Sequence, residues 1–280
     1  MSETVSAPSA VWRLIDTGVC TGPRNMAIDE ALLRSYRPGE SQPVFRLYGW
    51  HPATLSLGRF QNAEADLDLA RCGCAGQAVV RRVTGGGAIF HADELTYSLV
   101  CSQDQIPDAC GVKDSFRVLT SFLLGFYRTL GLSAGYAVDL VADGTVLGQR
   151  TALCFAGKES YDILINGRKI GGNAQRRSRQ LIFQHGSIPL QDRVADGLAY
   201  LKQAPPGLHT TCLQELGVSL DLACLKQQLI EQFEQQMGAT LQPGGLTLAE
   251  QQLAGQLERE KYGSDQWNLK GMNSEDTTQA

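Results

Sequence analysis

Cys154 stands fifteen residues ahead of Lys169 in the stretch RTALCFAGKESYDILINGRKIGGNAQRR, and Lys158, Arg168, Arg176, Arg177 and Arg179 crowd the same part of the chain. The thiolate is the nucleophilic form of cysteine, and neighbouring cations favour it. Such a pairing suits covalent acyl transfer, in which a thiol takes over an acyl group while a fixed cation faces the charge developing on the carbonyl oxygen. The plainer reading is a small buried apolar side chain, because cysteine is among the residue types most often found inside proteins. A second stretch, RRVTGGGAIFH, sets Arg81, Arg82 and His91 around Gly85, Gly86 and Gly87. Three consecutive glycines are poor for any regular element, so the run marks the close approach of a ligand or of another backbone. Its plainer reading is a flexible loop. It is neither a dinucleotide fingerprint nor a P-loop, since no GxGxxG opens a helix and no Gly-Lys-Ser/Thr follows.

The remaining chemistry is bounded by composition. The eight cysteines are scattered without a CxxC pair, and Cys72-Gly-Cys74 lacks a second ligand pair at metal spacing, so no metal and no cofactor is expected. With 25 basic against 29 acidic residues the net charge is −4, which argues against nucleic acid as a partner. Basic binding must therefore be local, and it calls for an anionic partner. No window approaches a membrane-spanning run, and the polar start MSETVSAPSA does not read as a secretion signal, so a cytoplasmic protein is expected. His91 and His185 fall inside the chemical stretches; either can assist a deprotonation, but a lone histidine beside a strand is more often hydrogen-bonded structure.

The elements that must carry these residues are readable from periodicity. NMAIDEALLRSY predicts a helix with Asp29 and Glu30 in its first turn, and SFRVLTSFLLGFYRTLG a helix ended by Gly131. VFRLYGW and TLSLGRF predict neighbouring strands broken at HPA. YDILINGRKIGG predicts a β-hairpin, since Asn166-Gly167 best tolerates the positive φ angles of a type I′ turn. That hairpin carries Lys169 back toward the segment holding Cys154. LIFQHGSIPL predicts another strand, and LDLACLKQQLIEQFEQQMG and LAEQQLAGQLEREKYG predict helices. Strands mixed with helices without a βαβ rhythm predict an α+β fold with one domain over residues 11–268, flanked by disordered tails at 1–10 and 269–280.

The two chemical stretches, with WRLIDTG, NMAIDEALL, ELTYSLV, QHGSI and KYGSDQWN in order along nearly the whole chain, resemble the lipoate-protein ligase and octanoyltransferase family, related to biotin-protein ligases. GGGAIFH is closer to the ATP-dependent ligases, whereas TALCF and HADELTYS are similar to the cysteine-dependent transferases. The resemblance implies a mixed β-sheet flanked by helices, with an acyl chain held beside the triple-glycine loop. It implies catalysis by Cys154 and Lys169. Substrate binding is expected at Arg81, Arg82, Gly85, Gly86, Gly87, His91, Gly172 and Ala174. Arg176, Arg177 and Arg179 are expected to meet a partner. The implied partners are an acidic acyl carrier protein as octanoyl donor and a lipoyl-carrier protein, such as glycine cleavage H protein or a 2-oxoacid dehydrogenase lipoyl domain, as acceptor. An ATP-dependent ligase and a non-catalytic binder of acyl groups or lipoyl domains are the alternatives.

Overall fold

Along VFRLYGW the side chains alternate between two buried layers, with Phe45 and Leu47 in one core and Val44 and Tyr48 in the other. A strand buried on both faces has to lie inside a sheet, and this one does. In the computed structural model, which describes residues 10–106, 111–140, 159–203, 208–219 and 221–271, the strands are β1 (Ala10–Cys20), β2 (Val44–Trp50), β3 (Thr54–Leu57), β4 (Ala78–Arg81), β5 (Ile89–His91), β6 (Glu94–Ser102), β7 (Ala134–Tyr136), β8 (Ile163–Ile165), β9 (Arg168–Ile170), β10 (Gly172–Arg177), β11 (Leu181–Pro189), β12 (Thr210–Thr211) and β13 (Ala239–Pro243). The helices are α1 (Gly22–Ser35), α2 (Ala63–Asp66), α3 (Leu69–Cys74), α4 (Val112–Thr129), α5 (Ala137–Leu140), α6 (Val194–Leu198), α7 (Leu222–Met237), α8 (Leu248–Leu257) and α9 (Asp265–Asn268).

A six-stranded mixed sheet runs in the order β10-β11-β6-β2-β1-β13, and smaller sheets run β12-β9-β8-β7 and β4-β3-β5. The fold is α+β. One face of the large sheet packs on α4 and α7, the other on α1 and α8. On the α4 side Phe122 is the hub, meeting Phe45, Tyr97 and Phe233 edge-on at 5.6, 5.1 and 5.3 Å.

Two sequence expectations are corrected. VFRLYGW and TLSL do not pair, because both edges of β2 are already taken by β1 and β6; β3 instead joins β4 and β5 in a separate sheet. Asp29 and Glu30 do not occupy the first turn of α1. Thr21 caps the helix and Pro23 fits its first turn, so it starts at Gly22 and both acids fall in its buried middle. The hairpin follows the sequence reading, with Asn166 at φ 50° and Gly167 at φ 74° joining β8 to β9.

Truncating the aromatic hub should be costly: Phe122→Ala is expected to lose about 3–5 kcal/mol of stability, because it leaves a cavity that three rings cannot close. Urea unfolding of the two proteins measures the difference, and a loss under about 1 kcal/mol would mean that the core collapses onto the gap.

Candidate active site

Strand register decides which side chains meet. Arg46 lies opposite Ser98, Ser98 opposite His185, and His185 opposite Ala174; the adjacent row is Tyr48, Thr96, Ser187 and Gly172. Paired residues share a face, so both rows line the α1 side of the sheet. From α1, Asp29 comes down on the first row. Its carboxylate accepts from Arg46 Nη1 at 2.6 Å, Ser98 Oγ at 2.8 Å and the Tyr48 hydroxyl at 2.9 Å, and His185 Nδ1 stands 3.9 Å away. Burial and the adjacent Asp29 charge push the Tyr48 phenol well up, so it remains a donor.

The triple-glycine loop is fastened over this face by Arg82, which is fully buried. Its Nη2 donates to the carbonyls of Gly85 at 2.9 Å and Gly87 at 3.0 Å. Its Nη1 donates to the Ser56 carbonyl at 2.9 Å and hydroxyl at 2.8 Å, and Nε reaches Thr84 Oγ1 at 3.4 Å. Two relays leave from there. Ser56 Oγ lies 2.7 Å from His91 Nε2, and His91 Nδ1 lies 2.8 Å from Glu94. Thr84 Oγ1 lies 2.8 Å from His185 Nε2, on the way to Asp29. Glu94 also accepts from Thr96 and Ser187, and Trp50 stacks on His91 at 3.9 Å. The His91 charge and these donors hold the Glu94 carboxyl below its ordinary range against the opposing effect of burial.

With the carbonyls of Gly85 and Gly87 turned inward, the N–H groups of Gly85, Gly86 and Gly87 meet no acceptor among the described residues. Backbone N–H groups so placed can donate to an oxygen that develops negative charge. Gly86, at φ 95°, needs its glycine, and a Cβ on Gly58 would sit 1.9 Å from the Gly86 carbonyl oxygen, so the loop also rests directly on the end of β3.

Lys169 is 2% exposed and pairs with Asp162 at 2.7 Å. A lysine so buried is no solvated hairpin side chain. Gly172 and Ala174 fall on the His185 face. Arg81 is turned elsewhere: it donates to the carbonyls of Gly58, Arg59, Gln61, Trp267 and Leu269. Arg177 is held at the start of α4 by the Gly111 carbonyl and by Ser115 at 2.7 Å, whereas Arg176 and Arg179 are exposed. Cys154, with Arg150 and Lys158, lies outside the described residues. Residues that the sequence reading passed over are Asp29, Arg46, Tyr48, Ser56, Thr84, Glu94 and Asp162. Only the last was open to calculation, since hairpin register puts Asp162 diagonal to Lys169 across β8 and β9.

Comparisons with known proteins give the family and the fold. The model of the lipoyl protein ligase A/B catalytic domain matches residues 22–234. The octanoyltransferase LipM of Geobacillus kaustophilus is 36% identical over 278 aligned positions, covering 93% of this chain and 98% of the relative. That of Symbiobacterium thermophilum is 39% identical over 277, covering 92% and 98%. Among solved structures, the T. acidophilum protein described as a lipoate protein ligase with bound lipoic acid superposes with a TM-score of 0.76 at 25% identity, covering 92% of this chain and 98% of that one. A lipoate-protein ligase A bound with ATP superposes at 0.78 and 24%, covering 94% and 100%, a likeness of fold. Relatives named octanoyltransferases over more than nine-tenths of the chain make this an acyl-group-transferring enzyme. The chain belongs to the lipoyl protein ligase A/B catalytic-domain family.

Burial, Arg82 and His91 push the His185 imidazole well below the ordinary histidine range. The unfolded chain therefore takes up a proton at this residue that the folded protein refuses. The stability contributed is complete above pH of about 6.5 and falls, as pH drops below it, by about 1.4 kcal/mol per unit. His185→Gln, which can still bond Thr84, should lose this dependence. Urea midpoints of both proteins at pH 7.5 and 5.5 should show the wild type falling further by about 1.4 kcal/mol; parallel loss in both would assign the proton to another group.

Proposed function

We propose that the enzyme transfers an octanoyl group from octanoyl-acyl carrier protein, through a thioester on Cys154, to the acceptor lysine of a lipoyl-carrier protein such as glycine cleavage H protein or a 2-oxoacid dehydrogenase lipoyl domain. The observation that carries this reading is identity of 36–39% to proteins named octanoyltransferases across more than nine-tenths of both chains. In the first step the Cys154 thiolate attacks the carrier thioester, the new C–S bond forms, and the carrier thiolate leaves. In the second the neutral lysine amine attacks the enzyme thioester; the C–N bond forms, the Cys154 sulfur leaves with the bonding pair, and the amine proton passes to solvent. The first exchange is near balance in free energy, and amide formation draws the second forward. Lys169, fixed by Asp162, and the loop N–H groups supply positive potential for the oxyanion of both steps. Arg176 and Arg179 are the exposed cations of β10 and its turn left to steer an acidic donor.

Incubation with octanoyl-acyl carrier protein, read by intact mass, should add one octanoyl group without ATP and none to Cys154→Ser. Strict dependence on ATP, with free acid as donor, would make the chain a ligase instead. Removing Lys169 alone would strand a buried carboxylate, so the informative variant is Lys169→Met with Asp162→Asn. That pair should melt near the wild type yet acylate on the order of 10²–10³ more slowly at saturating donor; near-normal acylation would remove the lysine from the mechanism.

A further inference from the structure

Arg81, which the sequence places beside a substrate, is spent on a turn at the rim of the site. Three carbonyls of the four-residue turn 58–61 converge on its Nη1, from Gly58 at 3.0 Å, Arg59 at 3.4 Å and Gln61 at 2.7 Å. Nε and Nη2 take the Trp267 and Leu269 carbonyls at 3.0 and 2.9 Å, tying the turn to α9. The turn closes on itself as well, with Gly58 N–H donating to Gln61 Oε1 at 2.9 Å and Gln61 N–H to the Gly58 carbonyl at 3.1 Å. The residue whose carbonyl does not go inward is Phe60, and its side chain is 89% exposed. These bonds fix the backbone that presents the ring, so the main chain has little freedom left to lose on binding, which favours a hot-spot anchor. The Arg59 guanidinium lies 5.8 Å from that ring and 4.5 Å from Trp267, and its Nη1 bonds the Gly271 carbonyl at 2.9 Å, which stiffens the base of the turn further.

The position matters as much as the exposure. Gly58 abuts the Gly86 carbonyl, and Arg59 N–H donates to the Thr84 carbonyl at 2.7 Å, so turn and triple-glycine loop are one rigid rim. Phe60 is two residues beyond Gly58, about 7 Å at full extension. We propose that Phe60 is the anchor on which the lysine-bearing carrier domain docks in the second half-reaction. This rests on the transfer reading above. Reach selects the occupant: a lysine offers four methylenes and an amine, so the acceptor's own folded surface must touch the rim immediately around the loop. The acyl donor carries its thioester on a long prosthetic arm, and its protein surface can seat farther away.

The test titrates unmodified glycine cleavage H protein, as acceptor, into wild type, Phe60→Ala and Phe60→Trp by calorimetry, with acylation from octanoyl-acyl carrier protein followed in parallel. Phe60→Ala should raise the acceptor Kd at least tenfold and Phe60→Trp restore it to within about threefold, while all three proteins acylate at equal rates and pass octanoyl to a short lysine peptide equally well. Unchanged acceptor affinity in Phe60→Ala overturns the proposal, as does slowed acylation with acceptor affinity intact, which would assign Phe60 to the donor. A wild type that binds the acceptor through Phe60 yet takes no octanoyl would retain the anchor and refute the thioester route.

Discussion

The arrangement of this site depends on one buried guanidinium. Arg82 is out of contact with water, and desolvating a cation is costly unless it is well bonded. It meets that cost with carbonyls on both sides of Gly86 and with the hydroxyls of Ser56 and Thr84. Each hydroxyl then addresses a histidine, and each histidine faces a carboxylate. A loop of three glycines has the greatest conformational entropy to lose, and it becomes a fixed surface here because its carbonyls are bound from behind. The two relays are connected through Arg82, so a displaced partner in either is felt at the loop.

The large sheet separates this polar work from ordinary packing. Residues of β2, β6 and β11 alternate between Phe45, Leu99 and Ile182 on the α4 side and Arg46, Ser98 and His185 on the α1 side. One strand thus contributes both to an aromatic core and to a hydrogen-bonded layer. The α4 face supplies stability by burial; the α1 face must satisfy its buried polar groups, and Asp29 does so by collecting donors from two strands with one carboxylate. That is why an aspartate stands in the middle of α1.

Elements were more legible than contacts. Periodicity gave α4, α7, α8, the hairpin and the strands β2, β3 and β11, and the Asn-Gly pair placed the turn to the residue. The start of α1 was missed because Asp29 and Glu30 suggest a first turn, whereas the cap and proline lie further back. Strand neighbours were misjudged because pairing depends on which edges are already occupied, a long-range fact that no local window contains. At the site, the loop and Lys169 stood out by composition, but Ser56, Thr84 and Glu94 are ordinary strand and loop residues. They become partners only when separate sheets are brought together.

The arginine pair shows how one motif divides its labour. Arg81 and Arg82 are adjacent where β4 ends, and successive side chains of an extended chain leave on opposite sides. Arg82 turns in to the loop; Arg81 turns toward 58–61 and α9. Both bind backbone carbonyls of the segment they face, so each holds that segment in one shape. The segments they fix touch where Gly58 meets Gly86, a contact that no side chain at position 58 would permit. Loop and rim are therefore set in one piece from a single dipeptide, and a shift in either arginine moves both the glycine loop and the turn that rests against it.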